Sequence, residues 1–170
     1  EMGYLAGAKK VNPKIKVNSN FIGVSGDSWN NPAKAKELAV AQYGRGADIL
    51  FVAAGASNFG VFDAAEERKK FAIGVDSNQN WIKPGRILTS MLKRVDTAVY
   101  KTCVESAGGK FVAGTARYGL GNEGIDLAID SYNDALMTPA LRALAADLKA
   151  QILAGKIQVP DFYKVGANGS

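Results

Sequence analysis

The chain contains 170 residues, of which 47% are hydrophobic and 22% are charged, and its formal net charge is +5. This composition is typical of a globular domain with a hydrophobic core, and no apolar stretch approaches the ~20 residues needed to span a bilayer. Histidine is absent and Cys103 is the only cysteine. These counts exclude an internal disulfide and a cysteine-based zinc site, and they remove the commonest general base.

The basic residues occur singly or in pairs along the chain, without interleaved aromatic residues. A surface that follows a phosphate backbone needs a continuous basic stripe. We therefore expect no nucleic-acid partner, despite the positive net charge.

Strand and helix patterns alternate along the chain, which predicts an α/β fold with a parallel sheet. In chain order, the predicted helices cover residues 2–11, 32–43, 59–70, 95–107 and 138–153. The predicted strands cover residues 16–24, 48–54, 71–76 and 86–92. Residues 111–129 are expected to form short strands and turns, and residues 165–170 a frayed tail.

Local signals mark two of the helix starts. Asn31 is predicted to cap the helix that Pro32 opens, and Thr138 with Pro139 repeats this pattern near the end of the chain. In the helix over residues 95–107, Cys103 belongs to an i, i+4 apolar series. It is therefore predicted to be a small core residue rather than a nucleophile.

The predicted strand over residues 71–76 is an apolar run that ends at Asp76. Such a run is typical of a parallel strand buried on both faces, and ligands of open α/β sheets bind beyond the carboxyl ends of the strands. Asp76 is therefore predicted to face a ligand. Its carboxylate suits the vicinal hydroxyls of a sugar, and Lys93, after the next strand, offers a donor to a ring nitrogen, carbonyl or hydroxyl. Because no second carboxylate, histidine or activated nucleophile accompanies Asp76 at a recognisable spacing, we expect binding rather than catalysis.

The turn over residues 55–60, Gly-Ala-Ser-Asn-Phe-Gly, lies between a strand and a helix, where backbone N–H groups bind anions. It lacks the Lys-Ser/Thr pair of a phosphate loop and the spacing of a dinucleotide fingerprint. Two interpretations stay open. Gly55 lines the pocket of a neutral ligand, or Gly55 permits a tight turn and Asn58 caps the next helix.

Two tryptophans lie in polar loops near strand ends. Trp29 precedes the Asn31 cap, where no helix face or strand alternation draws it into a core, and its indole is predicted to stack on a planar ligand. Trp81 could do the same, but we favour a role in fastening its own loop.

Four segments in order resemble the basic membrane protein (BMP, PnrA-like) family of ABC-transporter substrate-binding lipoproteins. Residues 26–39 resemble its G-S-F/W-N-D-P-x-K-x-K-E-x-A motif, and residues 71–77 resemble its A-I-G-V-D-S-D-Q strand. Residues 88–96 are similar to L-T-S-M-x-K-x-V-D, and residues 4–8 to G-Y-x-A-G-A/V. A weaker similarity, to G-L-K-x-G-G-V, lies within residues 118–125.

The resemblance implies a type I periplasmic-binding fold, whose lobes are parallel sheets flanked by helices in a Rossmann/flavodoxin-like three-layer arrangement. Family members bind purine or related nucleosides between two lobes and pass them to a membrane permease, without a cofactor or metal. It implies that Trp29 stacks on the base, Gly55 lines the pocket, Asp76 grips the ribose hydroxyls and Lys93 reaches the ligand. Possible additional contacts are Asn30, Ala56 and Asn58.

The sequence departs from the family pattern at two places. Asn30-Asn31 replaces the usual Asn-Asp, and the turn that begins at Gly55 replaces Gly-Gly-Thr-Gly. Ala56 adds a methyl group and Asn58 an amide, so the ligand could differ from a purine nucleoside.

Family members are longer than this chain by a whole lobe. The resemblance assigns residues 1–92 to the main part of the C-terminal lobe, 93–117 to a crossover or hinge helix, and 118–164 to a return segment and C-terminal helix, with the N-terminal lobe missing. It implies that the full-length form is a periplasmic or extracytoplasmic lipoprotein anchored in the membrane. Two alternatives stay open: an α/β enzyme that uses the turn over residues 55–60 for a phosphate, and a ligand-sensing receptor domain of the same fold.

Overall fold

The structure is a computed structural model that describes residues 1–165, with side chains through residue 163. Of the predicted tail, residues 166–170 lie outside the described residues. The helices are α1 (Met2–Val11), α2 (Pro32–Gly44), α3 (Asn58–Glu67), α4 (Val95–Ala107), α5 (Pro139–Leu153) and α6 (Phe162–Val165). The strands are β1 (Ile49–Phe51), β2 (Phe71–Asp76), β3 (Ile87–Lys93) and β4 (Ile125–Leu127). None of the helices in this range is long and apolar enough to cross a membrane.

The four strands form one sheet in the order β1-β2-β3-β4. The first three are parallel, and β4 runs antiparallel to β3. Phe51 lies opposite Ile73, and Asp76 lies opposite Leu92. Since parallel strands end at the same edge, the segments that follow β1, β2 and β3 lie together there. The predicted α/β class, with a mostly parallel sheet flanked by helices, is confirmed.

The core lies between the sheet and the helix pair α2 and α3. Small residues on these helices, among them Ala35 and Ala65, allow close packing around Phe62, which is fully buried. The C-terminal end of α2 is fastened to the sheet because the Tyr43 hydroxyl donates to the Phe71 carbonyl oxygen at 2.8 Å. Burial of this hydroxyl raises the pKa of Tyr43.

The predicted helix starts are confirmed. The Asn31 Oδ1 accepts the N–H of Lys34 at 3.0 Å, and Pro32 begins α2. The Thr138 Oγ1 likewise accepts the N–H of Leu141 at 3.4 Å at the start of α5. Side-chain caps satisfy N–H groups that have no partner within the helix.

Two predictions from local pattern are wrong. Residues 16–24 form no strand, and the side chains of Phe21 and Val24 are exposed, so no apolar burial supports a ladder there. Cys103 is exposed rather than a core residue, because α4 buries none of its residues. Local pattern states which face is apolar, but not whether anything covers it.

The chain divides into two compact units. Residues 21–142 form one unit, which contains all four strands together with α2, α3 and α4. Residues 1–20 and the described residues from 143 onward form the other. The assignment of segments to a C-terminal lobe, a crossover helix and a return segment stays a prediction.

Candidate functional site

The candidate site lies at the carboxyl edge of the sheet, within the unit of residues 21–142. Gly55 begins the turn after β1, Asp76 ends β2 and Lys93 ends β3. Trp29 lies in a short 3-10 turn, Gly26–Asn30, directly beside Gly55. The fold therefore brings Asp76 to Lys93 and Trp29 to Gly55, pairs that are far apart in the sequence.

Asp76 and Lys93 form an ion pair, with 2.7 Å between Lys93 Nζ and Asp76 Oδ1. Their side chains are 50% and 59% exposed, so the pair contributes only about 0–1 kcal/mol to stability and stays available to a ligand. Asp76 has a φ of +70°, in the left-handed region that non-glycine residues rarely adopt. Strain of this kind collects at binding sites, where the surrounding structure holds the residue in place.

Trp29 rests on Gly55. A Cβ atom at Gly55 would lie 3.0 Å from the Trp29 carbonyl oxygen and 3.5 Å from an indole carbon, and the φ of Gly55 is +57°. Glycine is thus required here both for its backbone conformation and for the close approach of the tryptophan. The residue Trp29 remains 60% exposed, which leaves surface accessible for stacking.

Ser57 holds the Trp29 turn against the turn after β1. Its fully buried hydroxyl donates to the Ser28 carbonyl oxygen at 2.6 Å and accepts the N–H of Asn31 at 2.7 Å. One side chain therefore holds both the residue before Trp29 and the N-cap residue of α2.

Replacing Ser57 by alanine should lower the free energy of unfolding by about 1–3 kcal/mol, because a buried donor and a buried acceptor lose their partner. Urea unfolding measures this change. Ser25→Ala is the matched control, because Ser25 precedes the same turn and its side chain makes no capping hydrogen bond. Equal effects of the two substitutions would contradict the role assigned to Ser57.

A buried amide network lies beneath the site. Gln79 Oε1 accepts the N–H of Val75 at 3.0 Å and an amide hydrogen of Asn58 at 3.2 Å, while the N–H of Gln79 donates to Ser90 Oγ at 3.0 Å. Asn58 Oδ1 in turn accepts the N–H of Ala54 at 3.0 Å. The segment after β1, the end of β2 and the middle of β3 are thereby linked beside Asp76. Sequence reasoning missed the half-buried Gln79 and the buried Ser90, since nothing local marks their hydrogen bonds to distant segments.

Asp130 anchors the loop after β2 from the other side. Its carboxylate accepts hydrogen bonds from Asn78 at 2.6 Å and Asn80 at 3.1 Å, and from the N–H of Tyr132 at 2.7 Å. Desolvation raises the pKa of Asp130, but the hydrogen bonds from Asn78, Tyr132 and Asn80 outweigh it, and the pKa is lowered overall.

This lowered pKa predicts a loss of stability in acid. A depressed carboxyl pKa contributes stability above the unfolded value of about 3.9, and this contribution is lost as the pH falls through the folded pKa. Asp130→Asn should therefore be less stable than the wild type at neutral pH, and the two curves of unfolding free energy against pH should converge below the folded pKa. A constant difference down to the lowest pH would contradict this account.

The remaining candidates lie in different places. Asn30 and Ala56 are exposed beside Trp29 and Gly55 in the sequence, whereas Asn58 is buried with its amide in the network. Trp81 donates its indole N–H to the Asn78 carbonyl oxygen at 3.0 Å, within its own loop. Among the described residues no cluster of three or more Cys, Asp or Glu side chains could hold a metal ion.

Solved ABC-transporter solute-binding proteins share this fold, a mostly parallel sheet flanked by helices. A solved ABC-transporter solute-binding protein from Aeropyrum pernix K1 superposes with a TM-score of 0.76 at 24% identity, covering 96% of this chain and 54% of that chain. A transcriptional activator of the comK gene from Bacillus halodurans superposes with a TM-score of 0.69 at 22% identity, covering 79% and 46%. At these identities the likenesses establish the fold alone.

The sequence comparison establishes the family. The model of PnrA-like ABC transporter substrate-binding proteins matches residues 1–161. The ABC transporter nucleoside-binding protein BmpA of Lactococcus lactis subsp. cremoris is 36% identical, over 94% of this chain and 48% of that protein. The chain therefore belongs to the PnrA-like family of ABC transporter substrate-binding proteins, and the resemblance found in its motifs is confirmed. It spans about half the length of this relative.

Proposed function

We propose that this chain forms one wall of the nucleoside-binding cleft in the substrate-binding component of an ABC transporter. The observation that carries the proposal is the pairing of an exposed indole, seated on Gly55, with a carboxylate held by Lys93 at the same sheet edge. Trp29 offers a flat apolar surface to the base. Asp76 offers two acceptor oxygens to the two ribose hydroxyls.

The charges of the site favour an uncharged ligand. Asp76 and Lys93 neutralise each other, so the pair presents hydrogen-bonding atoms without a net charge. A nucleotide phosphate would find no net positive charge in the Asp76–Lys93 pair, and the turn over residues 55–60 contains no lysine. A nucleoside, with hydroxyls and a planar base, therefore suits the wall better than a nucleotide.

The proposed ligands include nucleosides with bases other than purines. Ala56 lies exposed beside Gly55 and adds a methyl group where the family turn has glycine. Asn58, by contrast, is occupied in the buried network, so Ala56 is the turn residue that we expect to influence the choice of ligand. The name of the Lactococcus lactis relative supports a nucleoside ligand.

We further propose that the full-length protein acts outside the cytoplasm, attached to the membrane by a lipid anchor, and delivers its solute to an ABC permease. Family membership supports this placement. The protein would bind and release its ligand unchanged, as a binding component rather than an enzyme.

Two indole N–H signals make the binding test specific. Titration of the chain with adenosine, guanosine and inosine, followed by 1H–15N NMR, should shift the Trp29 indole signal and leave that of Trp81 in place, because Trp81 is bonded within its own loop. Free ribose and free base should each give smaller shifts. If none of the three nucleosides, each added up to its solubility limit, shifts the Trp29 indole N–H signal, the proposal is overturned.

The affinity of the chain by itself should be weak, with a dissociation constant in the millimolar range. One wall makes part of the contacts of a closed cleft and leaves the bound ligand open to water, which reduces binding free energy. Calorimetric titration measures this directly. Submicromolar binding would show that the chain carries a complete site.

A further inference from the structure

Asp76 is the central residue of a strained turn at the end of β2. The N–H of Ser77 donates to the Val75 carbonyl oxygen at 2.9 Å, and Asp76 between them has a φ of +70°. A hydrogen bond that spans one residue of positive φ defines the rarer form of the γ-turn, which is strained for a residue with a Cβ. Because this conformation is unfavourable by itself, contacts outside the turn must hold it.

The end of β2 loses its partner strand just before this turn. On the side of β1, the Ile73 carbonyl oxygen accepts the N–H of Val52 at 3.2 Å. Val75 is the next residue of β2 on that side, because every second residue of a strand faces the same neighbour. The pairing of β1 with β2 ends at Ile73, so Val75 lies beyond it.

Gln79 takes the place of the missing strand partner. Its Oε1 accepts the N–H of Val75 at 3.0 Å, and Asn58 Nδ2 donates to the same oxygen at 3.2 Å. Asn58 is itself fastened to the segment after β1, since its Oδ1 accepts the N–H of Ala54 at 3.0 Å. Two side-chain amides therefore connect β2 to the segment after β1 at the point where the backbone ladder stops.

The position of Gln79 is fixed from the side of β3. Its N–H donates to Ser90 Oγ at 3.0 Å, and the buried Ser90 hydroxyl donates in turn to Asn80 Oδ1 at 2.9 Å. A Cβ at Gly74 would lie 2.6 Å from Gln79 Oε1 and 2.9 Å from Ser90 Oγ. The Gln79 side chain therefore lies against the backbone of β2, in space that glycine leaves open.

We propose that Gln79 is a positioning residue for the ligand: by holding the N–H of Val75, it keeps Asp76 in the turn that presents its carboxylate. This inference rests on the proposed function, in which Asp76 binds the two ribose hydroxyls. The acceptor Oε1 is the atom that matters, because it receives the bonds from Val75 and Asn58. Glutamate keeps such an acceptor, whereas methionine has a similar length but a sulfur that accepts hydrogen bonds only weakly.

A ligand without the sugar hydroxyls isolates the contribution of Asp76. Adenosine and 2′,3′-dideoxyadenosine share the base, and the initial slopes of the Trp29 indole N–H shift give their relative affinities without saturation. The wild type should prefer adenosine by at least about tenfold. Gln79→Met should bind adenosine at least about fivefold more weakly but dideoxyadenosine within about twofold of the wild type, and Gln79→Glu should keep the wild-type preference.

A merely structural role of Gln79 gives a different result. Loss of folded protein would weaken the binding of both ligands equally, and a direct contact between the Gln79 amide hydrogens and the ligand would not be retained in Gln79→Glu. Equal weakening for both ligands, an unchanged preference in Gln79→Met, or a lost preference in Gln79→Glu would each overturn the proposal.

Two further variants serve as a control and as an independent test. Gln42→Met makes the same exchange near the C-terminal end of α2 and should change neither affinity. Gly74→Ala retains both Gln79 and Asp76 but occupies the space of Gln79 Oε1, so it should reduce the preference for adenosine as Gln79→Met does. A wild-type preference in Gly74→Ala would contradict the proposal.

Combining Gln79→Met with Asp76→Gly tests whether Gln79 acts through Asp76. In the Asp76→Gly background, Gln79→Met should change the adenosine affinity by less than about twofold, because the carboxylate that Gln79 positions is already absent. A further loss as large as that of Gln79→Met alone would show that the two residues act independently, and it would overturn the proposal.

A measurement without ligand separates this inference from the proposed function. Gln79→Met should alter the backbone 13C shifts of Asp76 and speed hydrogen exchange of the Val75 N–H by at least about tenfold, whereas Gln79→Glu should do neither. Unchanged Asp76 shifts in Gln79→Met would overturn the positioning role. If these signals change as expected but the wild type binds both ligands equally, Asp76 is positioned by Gln79 and the proposed sugar contact is wrong.

Discussion

Replacing Asp76 by glycine is expected to weaken nucleoside binding about tenfold to hundredfold while leaving the fold at least as stable. A hydrogen bond to a charged group is worth about 1.5–3 kcal/mol, which corresponds to this loss of affinity. Glycine adopts the φ of +70° at this position without the cost that a Cβ brings. The exposed ion pair with Lys93 contributes little to stability, so its loss does not offset that gain.

The NMR titration measures this prediction directly. At the nucleoside concentration that half-saturates the wild type, a tenfold loss of affinity reduces occupancy from a half to about one tenth, and the Trp29 shift falls accordingly. Asp76→Ala is the matched control. Asp76→Ala removes the same carboxylate, so it should bind nucleoside as weakly as Asp76→Gly does. Because alanine keeps a Cβ in the left-handed region, the free energy of unfolding of Asp76→Ala should be about 1 kcal/mol lower than that of Asp76→Gly. Unchanged nucleoside affinity in both variants would exclude Asp76 as the sugar-binding residue.

Replacing Gly60 by alanine is expected to lower the free energy of unfolding by about 3 kcal/mol or more. Gly60 lies where α3 meets the start of α2. An added Cβ would overlap the Pro32 carbonyl oxygen, and it would lie 2.7 Å from the Pro32 carbonyl carbon and 3.0 Å from the Lys36 nitrogen. All three are backbone atoms, so the helices would have to separate, and Phe62 and its neighbours would lose their packing.

Gly44→Ala is the matched control for Gly60→Ala. Gly44 ends α2, and a Cβ there would meet nothing within 4 Å. Because alanine is the better helix former, this change should leave stability unchanged or raise it by up to about 1 kcal/mol. Urea unfolding of both variants gives the comparison. If Gly60→Ala lowers the free energy of unfolding by less than about 1 kcal/mol, the contact between α2 and α3 adjusts to the added methyl group more easily than its geometry indicates, and the prediction is wrong.

The predictions from sequence were most accurate where the signal is local. The strand at residues 71–76 and the helix at residues 95–107 have the predicted bounds, and Asn31 caps α2 through its side chain. The prediction of a strand over residues 16–24 was wrong because a strand needs a partner strand, and the residue pattern alone does not supply one. The prediction that Cys103 is buried was wrong for a related reason. An apolar helix face predicts burial, but the local pattern does not show whether another segment covers that face.

For the candidate site, the sequence indicated single residues and the fold supplied their pairing. Asp76 and Lys93 each stood out at a strand end, but the register that places Asp76 opposite Leu92 is what brings Lys93 within 2.7 Å. Gln79 and Ser90 escaped notice because their importance comes from burial and hydrogen bonding between strands. Whether Trp29, Gly55, Asp76 and Lys93 bind a ligand stays a prediction.

By itself, then, the sequence determined the α/β class, the order of most elements, the helix caps and the family. These depend on the spacing of apolar residues and on short-range backbone chemistry, which act within a few residues. Only the tertiary structure decided that Trp29 rests on Gly55, that Asp76 is strained and paired with Lys93, and that the large apolar residues of α4 are exposed. Those features depend on contacts between residues distant in the chain, and local spacing carries no record of which distant segments meet.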